Sequence, residues 1–169
     1  LLRKDSIKAI TKLGVAKKNI FFGDFLDNKS DALPLLDLIQ FIEEKIQVIK
    51  PTAVFTHHRL CTNIDHQYCN RAVLTALRPN KNSKVAIFSS EILSSTGYLN
   101  PTKWEPNFFI TLEKKDLDKK LVAMKLYKNE IRNYPHPRSL EGIKSLAKLR
   151  GMYSGSLYAE AFMIEKLYT

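Results

Sequence analysis

The sequence predicts an α/β protein, in which helices cover the faces of a β-sheet. Apolar residues alternate along the chain between helical spacing and short continuous runs, which is the usual pattern of this fold class. The chain has 169 residues, of which 44% are hydrophobic and 26% are charged, a composition typical of globular proteins. Because this length fits one folding unit, we predict a single domain over residues 1–169.

Five segments carry apolar residues at the spacing of an amphipathic helix. The first ends at Gly14, a residue that favours helix ends, and the second must end before Pro51 because proline disfavours a helical residue ahead of it. The predicted helices cover residues 7–13, 35–49, 69–77, 117–131 and 140–149. No apolar run approaches the roughly 18 residues that a membrane span needs, so we predict no span.

Short apolar runs predict β-strands at residues 19–23, 52–56, 85–88 and 107–112. The order of strand, helix and strand favours a largely parallel, Rossmann-like sheet flanked by helices. Ligands bind such sheets at the carboxyl ends of the strands. Three of the four histidines, His57, His58 and His66, follow the strand at residues 52–56, so this end of the sheet is the predicted site.

The chain is basic, with 27 lysine and arginine residues against 17 acidic residues and a net charge of +10. Such an excess favours an anionic partner, which can be nucleic acid, an anionic membrane face or an anionic small substrate. The basic residues occur as short pairs without interleaved aromatic residues, and we therefore predict no nucleic-acid partner.

The two cysteines, Cys61 and Cys69, are too few for a disulfide framework. We therefore expect a reducing compartment, the cytoplasm. A separate zinc site formed by these cysteines and His66 is an alternative, but no Cys-x-x-Cys pair supports it.

The segment at residues 56–66 combines three histidines with an aspartate, a composition that fits a metal hydrolase. A structural interpretation fits about equally well. In that interpretation, Asn63 caps the third helix, Asp65 lies in its first turn, where a negative charge suits the helix dipole, and His66 is a partly buried side chain.

Residues 54–58, 63–66 and 72–79 resemble the second metal motif of the PIG-L/LmbE-like zinc N-deacetylases. Further stretches are similar to the other signatures of that family and follow in its usual order: residues 13–15, 23–28, 94–96, 106–109, 135–139 and 150–162. The resemblance extends over essentially the whole chain.

The resemblance implies a zinc-dependent amidase that removes the acetyl group from an N-acetylated sugar or sugar conjugate. In that family, zinc is held by a His and an Asp of a His-Pro-Asp-Asp segment together with the histidine numbered His66 here, and the metal activates a water. The present sequence contains no His-Pro-Asp-Asp, so we expect a sheet without its first strand. This chain alone is then predicted to bind zinc weakly and to lack turnover. The alternative is a non-catalytic carbohydrate-binding module of the same fold that has lost its metal.

The resemblance also implies roles for residues near His66, the expected metal ligand. Asn63 occupies the place of a second histidine in many relatives and is expected to donate a hydrogen bond to the developing oxyanion. Because His57 and His58 leave the same strand end, one of the two is expected to transfer the proton. Asp65 is expected to orient a neighbouring group.

Three further residues are expected to contact substrate. Arg138 belongs to a stretch similar to the family's Arg-Ser signature, and its guanidinium suits a carboxylate or phosphate. The neighbouring Ser139 fits a helix N-cap. Asp24 and Asp27 are expected to bind sugar hydroxyls, although loop aspartates also form turns. With the charge of +10, the expected substrate is an anionic sugar conjugate; the particular sugar and the oligomeric state stay open.

Overall fold

The computed structural model describes residues 2–79, 84–99 and 104–168. Within these residues, the helices are α1 (Leu2–Leu13), α2 (Leu35–Ile49), α3 (Ile64–Ala76), α4 (Lys114–Met124) and α5 (Leu140–Ser154). The strands are β1 (Ala53–His57), β2 (Ala86–Ser90), β3 (Phe108–Leu112) and β4 (Tyr158–Lys166). Among the described helices, none combines the length and apolar character that crossing a membrane requires.

The strands form a four-stranded sheet in the order β1-β2-β4-β3, which confirms the predicted α/β class. β1 and β2 run parallel, as expected for strands joined through the helical crossover α3. β4, however, runs antiparallel to β2, so the sheet is mixed rather than largely parallel. The direction of β4 depends on how the chain returns to the sheet after α5, which the spacing of apolar residues does not record.

Helix boundaries follow local signals in most places. α2 ends as predicted, because Lys50 adopts a left-handed backbone conformation with φ 51° immediately before Pro51. α1 ends ahead of Gly14, whose φ of 108° is a conformation that glycine adopts without strain. α5 begins at the cap Ser139, whose side chain accepts a hydrogen bond from the backbone N–H of Gly142.

Two predicted elements differ from the structure. The strand expected at residues 19–23 is wrong, because a short 3-10 turn at Lys17–Asn19 leads into chain without regular structure. Phe21 and Phe22 in this segment are 42% and 38% exposed, so the apolar run does not pack as a buried strand. The helix expected at residues 117–131 ends at Met124, after which the chain forms tight turns.

The described contacts divide the chain into two compact units. The first unit comprises Leu1–Phe22 and Phe109–Glu160, and in it α1 packs against α4. The second unit comprises Gly23–Phe108 and Ala161–Thr169. The core of the second unit forms where α2 and α3 cover β1 and β2, with buried Val73, Leu77, Val85 and Ile87 and partly buried Ile42, Ile46, Val54 and Leu74. One domain over residues 1–169 stays a prediction.

Candidate active site

Two imidazoles meet where β1 ends and α3 begins, within the second unit. The rings of His57 and His66 stack with centroids 4.1 Å apart and planes inclined by 9°. His66 Nδ1 lies 3.4 Å from the hydroxyl of Ser95, whereas the buried His57 Nδ1 has no hydrogen-bond partner in the described part of the chain. Burial, and then the neighbouring His66, lower the pKa of His57 to about 4. His57 is therefore neutral at pH 7.

Asn63 is the N-cap of α3, as the structural interpretation of this segment predicted. Its Oδ1 accepts hydrogen bonds from the backbone N–H groups of Asp65 (2.8 Å) and His66 (3.3 Å). Its Nδ2 donates to Oδ1 of Asn28 at 3.0 Å. Because a side-chain amide carries two N–H groups, this arrangement leaves one of them for a substrate oxygen.

The carboxylate of Asp65 holds a loop of the same unit. Oδ2 accepts the backbone N–H of Asn28 at 2.6 Å, and Oδ1 accepts the backbone N–H of Ser30 at 3.1 Å. Burial alone would raise the pKa of Asp65, but hydrogen bonds from the Ser30 side chain and these backbone groups, together with His66, lower it below its usual value. Asp65 is therefore an ionised group whose two oxygens are both engaged.

Asn28 and Ser30 are site residues that the sequence prediction missed. Asn28 adopts a left-handed backbone conformation with φ 54°, which directs its N–H to Asp65 and its side chain to Asn63. Asparagine tolerates this conformation better than most residues, so an asparagine in the polar loop at residues 24–31 was the one local signal. No local signal indicated that Asn28 contacts Asp65, which lies 37 positions further along the chain.

His58 lies in the interior of the second unit. It is 1% exposed, and its ring meets Trp104 edge to face with centroids 5.1 Å apart. Its Nδ1 accepts the backbone N–H of Leu60 at 3.3 Å, and Nε2 is a buried atom without a partner among the described residues. Burial lowers the pKa of His58, the charge of Glu165 opposes this shift and Arg59 adds to it. No sequence motif marked Trp104 as its neighbour.

The described residues do not complete a zinc site by themselves. Among residues 2–79, 84–99 and 104–168, no three His, Cys, Asp or Glu side chains are grouped closely enough to hold an ion. An imidazole binds zinc at about 2.0–2.1 Å through a lone pair in its ring plane. The stacked, nearly parallel rings of His57 and His66 cannot both direct such a lone pair at one ion. In this arrangement His57 is therefore not a second ligand for an ion held by His66.

The cysteines do not join His66 in a second site. Cys61 is fully buried, with its Sγ 3.0 Å from Oγ1 of Thr96. Burial, and then the charge of Asp65, raise the pKa of Cys69, so its thiol stays protonated at neutral pH. Protonated thiols are poor metal ligands.

The expected substrate residues lie in different units. Asp24 and Asp27 are exposed in the loop before Asn28, and Oδ2 of Asp27 accepts a hydrogen bond from Nδ2 of Asn28 at 3.3 Å. This loop belongs to the second unit, together with the two stacked imidazoles. Arg138 belongs to the first unit, where its guanidinium forms an ion pair with Glu130. The structure therefore links Asp27 to Asn63 and Asp65 through Asn28.

The model of the PIG-L family, described as GlcNAc-PI de-N-acetylase, matches residues 1–77. This range contains β1, the two stacked histidines and α3, and the match confirms the family resemblance seen in the sequence. No curated protein sequence is significantly similar to the chain.

Solved structures share the fold. The conserved protein TT1542 from Thermus thermophilus is 20% identical with a TM-score of 0.73, over 99% of this chain and 74% of that one. The N,N'-diacetylchitobiose deacetylase from Pyrococcus horikoshii is 18% identical with a TM-score of 0.72, over 96% of this chain and 62% of that one. The A40926 pseudoaglycone deacetylase Dbv21 is 19% identical with a TM-score of 0.71, over 96% and 68% of the two chains.

Proposed function

We propose that the protein is a zinc-dependent amidohydrolase that removes the acetyl group from an N-acetylated sugar or sugar conjugate. The match of the PIG-L family model to residues 1–77 carries this proposal, because that range contains the segment from His57 to His66. The deacetylases among the structures of similar fold support the same class of reaction. A cytoplasmic location and an anionic substrate, without a nucleic-acid partner, belong to the same proposal.

In this proposal His66 is a metal ligand. A catalytic zinc usually has three protein ligands, and no three candidate ligand side chains are grouped among the described residues. We therefore expect the 169-residue chain alone to bind zinc weakly and to release no acetate.

For proton transfer, the geometry favours His57 over His58. Nδ1 of His57 and Nε2 of His58 both lack a partner among the described groups, but only the ring of His57 stacks on His66. His58 is instead enclosed against Trp104. Because its pKa of about 4 keeps His57 neutral at pH 7, this ring would accept a proton before it returns one.

Asn63 and Asp65 have different roles in the proposal. The remaining N–H of Asn63 is available to a developing oxyanion, a contact of about 3 kcal/mol when it is preorganised. Asp65 is a positioning residue, since both of its oxygens accept hydrogen bonds from the loop at residues 28–30. Asp24, Asp27 and Arg138 remain proposed contacts to sugar hydroxyls or to an anionic group of the substrate.

The test is acetate release from N,N'-diacetylchitobiose by the protein as it occurs in the cell, together with zinc content after dialysis. We expect His66→Ala to abolish both, a larger loss than the about 10–100-fold cost of removing a group that only supports a ligand. His136→Ala, which removes a histidine of the first unit, is the matched control and should retain its zinc. Unchanged zinc content and acetate release in His66→Ala would refute the proposal.

The lack of a three-ligand group among the described residues also favours a second candidate, a carbohydrate-binding module without catalysis. Isothermal titration with N,N'-diacetylchitobiose distinguishes the two. Binding of the sugar without zinc, and without release of acetate by the same protein, would support the module.

A further inference from the structure

A groove of the first unit has a strongly basic rim. It is a shallow, open groove of about 530 Å³ along α1, lined by Lys4, Ile7, Lys8, Thr11, Lys12, Lys17 and Leu126. The four lysines are exposed, whereas Ile7 and Leu126 are partly buried and form an apolar floor. We call these seven residues the lysine groove. All of them lie in the first unit, and none has a role in the proposed deacetylase reaction, so a role for this groove is independent of that function.

The charges of the lysine groove are concentrated on one side of a helix. Lys4, Lys8 and Lys12 are four residues apart, so they share one face of α1 and span about 12 Å along its axis. Like charges at this spacing repel one another and disfavour the helix. No acidic side chain in the described part of the chain forms an ion pair with the four lysines. Residues 1–18 contain six basic residues and one acidic residue, and this net +5 is half of the +10 of the whole chain.

Tertiary packing holds the floor of the lysine groove in place. α1 packs against α4, and the hydroxyl of Tyr127 donates a hydrogen bond to Oγ of Ser6 at 3.1 Å. The turn that carries Leu126 is closed by a hydrogen bond from the N–H of Tyr127 to the carbonyl of Met124. The backbone that forms the lysine groove, namely α1 and the turn after α4, is therefore held in place by tertiary contacts.

We propose that the lysine groove binds the surface of an anionic phospholipid membrane. A single free phosphate can meet only one or two lysines that are spread over about 12 Å, whereas a membrane surface presents phosphates along the whole row. The apolar floor between the lysines accommodates the less polar part of a lipid next to its headgroup. A single-stranded nucleic acid would gain most from aromatic side chains, and the residues that line the lysine groove include none.

The test measures sedimentation of the purified 169-residue chain with phosphatidylcholine vesicles that contain or lack phosphatidylserine. Binding is expected only with phosphatidylserine and should weaken at high salt. Each lysine near an anionic surface contributes about fivefold in affinity, so Lys8→Gln/Lys12→Gln should lose about 25-fold.

The matched control is Lys144→Gln/Lys148→Gln, which removes two exposed lysines at the same spacing from α5 of the same unit. It should change the affinity by less than about threefold. Circular dichroism establishes that both double variants are folded.

Three results would overturn the proposal. The first is an equal loss in the two double variants, which would attribute binding to net charge alone. The second is no sedimentation with phosphatidylserine vesicles, whether or not inorganic pyrophosphate binds the chain. The third is displacement from vesicles by single-stranded RNA at concentrations below that of the accessible lipid, which would assign the lysine groove to nucleic acid instead.

Discussion

The beginning of α3 in the second unit and the lysine groove in the first unit differ in whether their charged groups have hydrogen-bond partners among the described residues. Around α3, the carboxylate of Asp65 accepts hydrogen bonds from Asn28 and Ser30, and Asn63 bonds both to its own helix and to Asn28. In the lysine groove, four like charges surround an apolar floor. Polar groups whose hydrogen bonds are satisfied inside the protein fix the geometry of a site. Charged groups that face solvent are available to an external partner. Substitutions in each of the two regions test this difference.

Removing the hydrogen-bonded carboxylate of Asp65 should have the largest effect on stability. Asp65→Ala deletes the hydrogen bonds that the carboxylate accepts from the backbone N–H groups of Asn28 and Ser30 and from the Ser30 side chain, so we expect a loss of about 2–4 kcal/mol in the free energy of unfolding. Urea denaturation measures this loss. Hydrogen exchange should be faster at Asn28 and Ser30 in the variant.

Asp118→Asn is the control for this experiment, because it removes an exposed carboxylate that pairs with Lys114 on α4. It should cost no more than about 0.5 kcal/mol. Similar losses in the Asp65→Ala and Asp118→Asn variants would show that the hydrogen bonds of Asp65 do not set it apart from a surface charge.

The stability that Asp65 provides should depend on pH. The pKa of Asp65 is lowered in the folded protein from its ordinary value of 3.8. Its contribution is therefore complete well above that value and is lost as the pH falls through the lower, folded pKa. The difference in unfolding free energy between the natural protein and Asp65→Asn should be constant from pH 7 to pH 5 and shrink in more acidic urea titrations. A difference that grew towards low pH would contradict the ionised state of Asp65.

The smallest expected effect is a gain in stability, on removal of lysines from α1. Lys8→Gln/Lys12→Gln relieves repulsion along α1 and should raise the free energy of unfolding by about 0.2–0.5 kcal/mol for each like-charge pair removed. Lys114→Gln removes an exposed lysine that is paired with Asp118 and should not raise the free energy of unfolding. Thermal denaturation at low salt compares the two variants. A loss of stability in the α1 variant would mean that these lysines have partners inside the fold.

Local patterns predicted much of the fold, and the failures share one cause. The ends of α1 and α2 follow from Gly14 and Pro51, because each acts on the backbone next to it. The apolar run at residues 19–23 has the composition of a strand, yet a strand forms only where another strand pairs with it. The direction of β4 likewise depends on a distant partner, β2.

The candidate site also combines features that local sequence predicts with features that depend on distant residues. The cap role of Asn63 could be anticipated, because its hydrogen bonds reach only two and three residues ahead. The contacts of Asp65 with Asn28 and Ser30 join residues 37 and 35 positions apart, and no local pattern announces them. No local pattern indicated the contact of His58 with Trp104 either, and this contact is one reason why we propose His57 rather than His58 for proton transfer.

The order of amino acids alone determined where most helices and strands begin and end, which family the chain resembles and which short segment holds its histidines. These properties depend on backbone preferences and on side chains a few positions apart. Only the tertiary structure decided the antiparallel return of β4, the stacking of His57 on His66, the engagement of Asp65 by a remote loop and the union of α1 with Leu126 in one groove. Each of these arises from packing between segments whose separation along the chain carries no information about their distance in space.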